Sequence, residues 1–271
     1  MTASISISAR PAGRLSTDRF AGFAPLFRKE LREWAHSKRI WVILGVTTVF
    51  MALTAANAAI NTWIIANIPG AEVPDAAFSL DPTANFFAAV STQFFVMAAI
   101  FATIGLIITE RERGTLAWVA SKPVSRGAIW LSKWTAAAVV VSVAAGIVPM
   151  VATFGLVAVL YGSAGVAAFV AAAIGMAASI AFMTAVVLAV SVVISNQAAV
   201  AAIGFAVLFL PQLLAGFLPI NVEPYLATSI LGWTVGLAVG SDVGIVTPIA
   251  FAITVVALVA FASRQMERLE F

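Results

Sequence analysis

Uncharged apolar runs recur along the chain at lengths suited to a bilayer. They place helices at about 40–66, 86–109, 129–160, 165–194, 198–218 and 245–263, each near or beyond the ~20 residues that cross the hydrocarbon core. From Trp134 to Val222 there is no Asp, Glu, Lys or Arg, so weaker signals must divide that stretch. Tyr161-Gly162-Ser163-Ala164-Gly165 is the strongest, because paired glycines interrupt a helix, and it predicts a tight hairpin between the third and fourth spans. Ser195, Asn196 and Gln197 form a second, weaker break that two span lengths require. Pro224 to Ser241 is a further uncharged stretch of 18 residues, but it is Gly-rich and lies close behind Pro219. It reads as a re-entrant or external helical hairpin, which is tolerated where protein covers its backbone.

Composition agrees with this pattern. The chain is 62% hydrophobic and only 10% charged, which excludes a soluble domain of 271 residues. It contains no cysteine, so disulfide frameworks and thiolate metal sites are excluded. The fold class expected is an all-α integral membrane protein with six transmembrane helices, an N-terminal amphipathic interfacial helix and the hairpin between spans five and six. Residues 1–19 read as a polar tail without the apolar core of a signal peptide. Residues 20–39 read as the amphipathic helix. The six-span domain takes 40–271, with a polar loop at 110–133 and the external hairpin at 219–244.

Charge sets the expected orientation. Of the 15 Lys and Arg residues, eight precede the first span, five lie in 110–133 and two, Arg264 and Arg268, follow the last. The segments 67–85, 161–164 and 219–244 hold none, yet carry Glu72, Asp75, Asp81, Glu223 and Asp242. The positive-inside rule therefore places both termini in the cytoplasm. A seventh span would break that parity.

With Lys133 assigned to the loop, the span interiors are expected to hold no buried Asp, Glu, Lys or Arg, and the one histidine, His36, precedes the first span. Ion-coupled carriers generally need an ionisable group at membrane depth, and a serine nucleophile needs a base beside it. Neither is expected here. The phosphate-cradling pattern GxxxxGK[ST] is also absent, so any ATP must be hydrolysed on another chain.

The segment Glu110 to Lys133 concentrates seven charges in 24 residues. Gly114 and Pro123 divide it into two short helical pieces. Thr115 is the expected N-cap of the first piece, with Leu116, Trp118 and Val119 exposed beside the membrane, and Ser125 the expected cap of the helix that enters span three. A short helix with an aromatic anchor flanked by charge suits a groove on a partner protein. An ordinary basic loop that only sets topology explains the composition equally well.

The order Glu110-Arg111-Glu112-Arg113-Gly114-Thr115-Leu116, then Lys122-Pro123-Val124-Ser125-Arg126, then Leu131-Ser132-Lys133 resembles the loop after the second span of ABC-2 type transporter permeases. These are the membrane subunits of bacterial ABC exporters whose ATPase is a separate polypeptide. The resemblance extends to the amphipathic start, the six-span layout and the hairpin before the last span. It implies a bacterial inner-membrane permease, paired as a homodimer on two ATPase subunits that carry the ATP and Mg, with no cofactor, metal or catalytic residue in this chain. It also implies that Glu110, Arg111, Glu112, Arg113, Gly114, Thr115, Leu116, Trp118, Pro123, Ser125 and Arg126 couple to the ATPase, with a minor contribution from Ser195, Asn196 and Gln197.

In the amphipathic start, Phe20, Phe23, Phe27, Leu31 and Trp34 share one helical face, while Arg28, Lys29, Arg32 and Glu33 mostly occupy the others. Such a helix is expected to lie among the headgroups with its apolar face in the bilayer. Gly232, Gly236 and Gly240 read as a tight re-entrant turn in preference to a dimer seam. Asn57, Asn61 and Gln212 are the polar residues placed to line a translocation path, with Gln212 beside the helix-kinking Pro211. Apolar span walls favour lipid-like or amphipathic, drug-like cargo. An ion-gradient-driven carrier and a non-transporting scaffold remain the alternative readings.

Overall fold

Ser37 starts the first long helix by accepting the Arg39 amide at 3.3 Å, an N-cap that relieves one of the unpaired donors of the first turn. In the computed structural model, which describes residues 22–68, 80–91, 93–122, 124–215, 217 and 222–268, α1 (Phe23–Ala35) precedes this cap and α2 (Lys38–Ala66) follows it. The tail 1–19 and Phe20 lie outside the described residues. Span two is α3 (Pro82–Val90) and α4 (Phe94–Thr103), continued by a turn into α5 (Ile108–Glu112). It starts four residues earlier than the apolar pattern predicts, because Asp81 Oδ2 accepts the Ala84 amide at 2.6 Å and Pro82 fills the first turn.

The short helix α6 (Thr115–Ala120) leads to α7 (Arg126–Val141), a π-helical turn at Ser142–Ile147, and α8 (Val148–Leu160), which together form span three. Pro149 lacks the N–H that an α-helix would give to Ala145, and the wider π turn lies just ahead of it. Span four is α9 (Val166–Val193) and span five α10 (Gln197–Ala215). After two short 3₁₀ turns come α11 (Ile230–Ala238) and α12 (Val246–Arg268), the last of the six segments long and apolar enough to cross a membrane. Among the described residues there are no strands.

α9 is the hub. It packs against α4, α7, α10, α11 and α12, and 72% of its apolar stretch is buried, against 11% for α12 and 22% for α2. α2, α10 and α12 therefore face outward with exposed apolar side chains such as Trp41, Leu213 and Val256, as helices in lipid do. The nine residues of α11 reach only ~14 Å by helical rise, less than half a bilayer core. They lie instead against α9, where Gly175 admits them: a Cβ there would collide with Thr234 Oγ1 and come within 3.0 Å of Leu231 Cα. Gly175 is nine residues into a 28-residue helix. The hairpin thus packs deep along span four.

At the far end of span three, the Tyr161 hydroxyl donates to Ala55 O and accepts from Ala59 N, both at 2.9 Å. These are the carbonyl and amide of one turn of α2, so the turn read from the glycines also fastens span three to span one.

Candidate functional site

The helix of span three starts at Arg126 and carries Lys133 two turns in, where its ammonium is only 3% exposed. The expectation that the span helices bury no charge is therefore wrong at this residue. Helix 126–160 has 35 residues, about 52 Å at 1.5 Å per residue and some 20 Å longer than the hydrocarbon core. Lys133 lies in that overhang, shielded from water by α1 and by the end of span two. Its Nζ donates to Glu30 Oε1 at 2.8 Å and Glu110 Oε1 at 2.7 Å.

Glu30 is buried because α1 packs on α7. The stripe Phe27, Glu30, Leu31 and Trp34 turns toward the bundle, with Trp34 5% exposed and Phe27 and Leu31 against the core. The expectation that this face enters the bilayer is corrected accordingly. The physical reason is the carboxylate in the middle of the stripe, which finds an ammonium in the protein and would find none among acyl chains. Phe23 stacks on Phe27 with ring centroids 5.7 Å apart, while Arg28, Arg32 and Glu33 remain exposed.

Lys29 extends the cluster with contacts to Glu33 at 3.1 Å, Glu30 at 3.4 Å and Glu110 at 3.9 Å. Partial burial alone would lower its pKa, but Glu30, the hydrogen bond to Glu33, and Glu110 outweigh it and hold the pKa above the ordinary lysine value. A raised lysine pKa adds stability that is complete below the unfolded value and is lost only as pH climbs through the folded one. The Lys29 contribution is therefore constant at neutral pH. Carboxylate oxygens of Glu30, Glu33 and Glu110 lie within 4.8 Å of one another, close enough to hold a cation. The ammonium groups of Lys29 and Lys133 already serve as that cation.

The rest of the polar segment is built around this node. Gly114 ends α5 and caps α6 at once: its φ of +70° is the left-handed conformation that glycine adopts without cost. Its amide donates to Arg111 O at 3.1 Å, and the Thr115 hydroxyl donates to Glu110 O at 3.2 Å. Thr115 is therefore the first residue of α6 and serves the preceding helix end, where the sequence predicted an N-cap. Leu116, expected to be exposed, is fully buried among Ile107, Ile129, Trp130 and Leu188. Trp118 is 65% exposed, with Lys122 Nζ 4.6 Å from its ring centroid. Ser125 caps α7 as predicted, accepting the Ala128 amide at 3.1 Å. Pro123 lies outside the described residues.

Three links tie this end of the bundle together, joining the segment and the end of span two to the end of α9, the start of α10 and the end of α12. Arg111 Nη2 donates to Val192 O at 2.6 Å, at the last turn of α9. Arg126 Nη1 donates to Glu267 O at 2.8 Å near the end of α12. Gly105 lies beside the Gln197 amide, which a Cβ at 105 would approach to 3.8 Å, and Asn196 Oδ1 accepts the Ala198 and Ala199 amides to start α10. Glu112, Arg113, Ser195, Asn196 and Gln197 are exposed around this end. Arg111→Ala is expected to cost about 1.5 kcal/mol, the worth of a charged hydrogen bond to a backbone carbonyl, read as a lower thermal midpoint in detergent.

The residues proposed from sequence for a path do not converge. Asn61 Nδ2 donates to Asn57 O and Oδ1 at 2.8 and 2.9 Å, and this pair on α2 is absent from the lining of the cavity that contains Gln212. The Gln212 amide reaches Leu208 O at 3.4 Å, leaving the carbonyl that Pro211 frees, at Val207, to other partners.

Sequence reasoning passed over Glu30 and placed Lys133 in the loop. Two signals mark them. Lys133 is the sole charged residue between Arg126 and Glu223, and Glu30 falls at the i+3 position of the stripe that starts at Phe27.

A comparison with curated proteins finds no match. The family model described as ABC-2 family transporter protein matches residues 24–263, from the second residue of α1 to the last turns of α12. That span takes in the six membrane helices, the buried node and the exposed Trp118 helix, and the chain belongs to the ABC-2 transporter family.

Proposed function

We propose that this chain is the permease subunit of an ATP-driven exporter. It works as a homodimer in a bacterial inner membrane with both termini in the cytoplasm, above two copies of a separate ATPase that bind the ATP and Mg. The observation that carries the reading is α6: a two-turn helix that presents an exposed tryptophan at the basic end while its Leu116 face is anchored in the bundle. A rigid aromatic on a short helix is the kind of anchor that a partner groove desolvates. Around it, Glu112, Arg113 and Lys122 offer charges of both signs. Closure of the ATPase pair would push on α6 and, through Leu116 and Glu110, on spans three and four and on α1. Transport then needs a two-state dimer biased by nucleotide and no chemical site in this chain. Cargo is lipid-like or amphipathic, since the spans offer little to replace a hydration shell.

The test is recovery of the tagged chain from native membranes in mild detergent, with its partners identified by mass spectrometry. A soluble subunit with a GxxxxGK[ST] loop is expected near equal stoichiometry. Trp118→Ala should weaken its retention about thirtyfold, the ~2 kcal/mol of an aromatic hot spot, with permease abundance unchanged. Glu110 is unsuited to this test because its carboxylate belongs to the Lys133 node. Recovery of the chain with no nucleotide-binding partner would overturn the reading.

A further inference from the structure

At the end of the bundle opposite the Lys133 node, a cavity of about 400 Å³ lies between spans two, four and five and the 3₁₀ turns before α11. It falls within the size range of small-molecule sites. Its position follows from two features. Span two is interrupted at Ser91 and Gln93, between α3 and α4, and α11 lies on α9 below the connection that carries Glu223. Phe95, Phe182 and Met183 form an apolar floor, all of them buried. Met183 is in the middle of α9, so the floor is at the depth of the bilayer core.

Gln93, Gln212 and Glu223, with four serine and threonine hydroxyls, supply the polar lining, and Glu223 is the one charged side chain among the described residues of the wall. Among the described residues that line the cavity there is no lysine or arginine. Nor does any occur in the three segments read as external, which together hold five carboxylates. An anionic headgroup would meet an acidic field and no basic side chain among the described residues of the wall, whereas a cation would be drawn in. Aromatic and thioether groups suit a polarizable apolar body beneath that charge.

We propose that this cavity binds an amphipathic organic cation, with its apolar body on the Phe95, Phe182 and Met183 floor and its positive head at Glu223. Occupancy of the cavity is independent of the ATPase. That the bound cation is cargo rests on the exporter reading above.

The probe is radiolabelled tetraphenylphosphonium, with tetraphenylborate as an anion of the same shape, added to the purified full chain in phosphatidylcholine nanodiscs without ATPase. Saturable binding of the cation at one site per chain is expected, and none of radiolabelled tetraphenylborate assayed in a separate sample. Glu223→Gln, at an exposed position, should weaken it about tenfold, and Ser179→Trp, which projects into the cavity, should abolish it, with size-exclusion profiles confirming folded protein. Absent saturable binding of the cation, equal saturable binding of the anion in its own assay, or an unchanged affinity in Glu223→Gln each overturns the proposal. Cation binding without ATP-driven efflux would sink only the exporter reading, and efflux without cation binding would sink only this site.

Discussion

Lys133→Met is expected to be the most damaging single substitution in the chain, lowering stability by about 3–5 kcal/mol, the usual cost of removing one partner from a buried ion pair. The ammonium neutralises Glu30, which is 5% exposed at the side chain, and Glu110, which is 21% exposed. Methionine keeps the volume and leaves the two carboxylates with only the longer, half-exposed contacts to Lys29, at 3.4 and 3.9 Å. Because Glu110 retains some access to water, the loss should fall toward the lower end of that range. Function should fail with stability, since α1, the end of span two and span three meet at this one group. A compensating triple variant separates charge from packing. Lys133→Met with Glu30→Gln and Glu110→Gln removes the charges together, and well-packed neutral replacements of buried triads are commonly neutral or stabilising. The thermal midpoint of the triple variant should therefore recover most of the loss. If the single variant melts with the native protein, the node has no structural weight. If the triple variant recovers stability but not export, the ionic link itself carries the motion from α6 to α1.

A second large effect is expected at Gly175. A leucine there would drive its Cβ into Thr234 Oγ1 and against the Leu231 backbone, and α9 is the most buried span, so neither side can give way cheaply. Overpacking of this kind costs about 3 kcal/mol at its upper range, and the weaker partner is the short α11. The chain has no cysteine, so a single introduced one reports without background. Thr234→Cys, at a position 5% exposed, should resist a membrane-impermeant maleimide in the native background and react in the Gly175→Leu background. Equal protection in both would mean that α11 does not depend on the notch at Gly175.

The spans were legible because hydrophobicity over twenty residues is a one-dimensional signal, and each of the six apolar runs between 40 and 263 became a helical segment, span two in pieces, within a few residues of its expected ends. Local chemistry was legible where it acts within one turn, as at Ser125, whose cap bond to Ala128 spans three residues. Thr115 shows the limit. The same hydroxyl could serve the helix ahead or the helix behind, and the left-handed turn at Gly114 brought it to Glu110 O. The interruption of span two at Ser91 and Gln93 was also hidden, since so short a break within an apolar run barely alters its mean hydropathy.

By itself, the sequence determined the membrane class, the number of spans, the alternation of segments that carry lysine and arginine with segments that carry none, and the resemblance carried by Glu110 to Lys133. Those properties depend on the solvent each segment must face, and the residues along the segment decide that. Only the tertiary structure decided that α1 lies on span three instead of in lipid, that Glu30, Lys133 and Glu110 meet across 103 and 23 residues of chain, and that α11 rests in the Gly175 notch. Pairing of buried charges and close backbone approach are properties of two surfaces at once. No single stretch of sequence contains both.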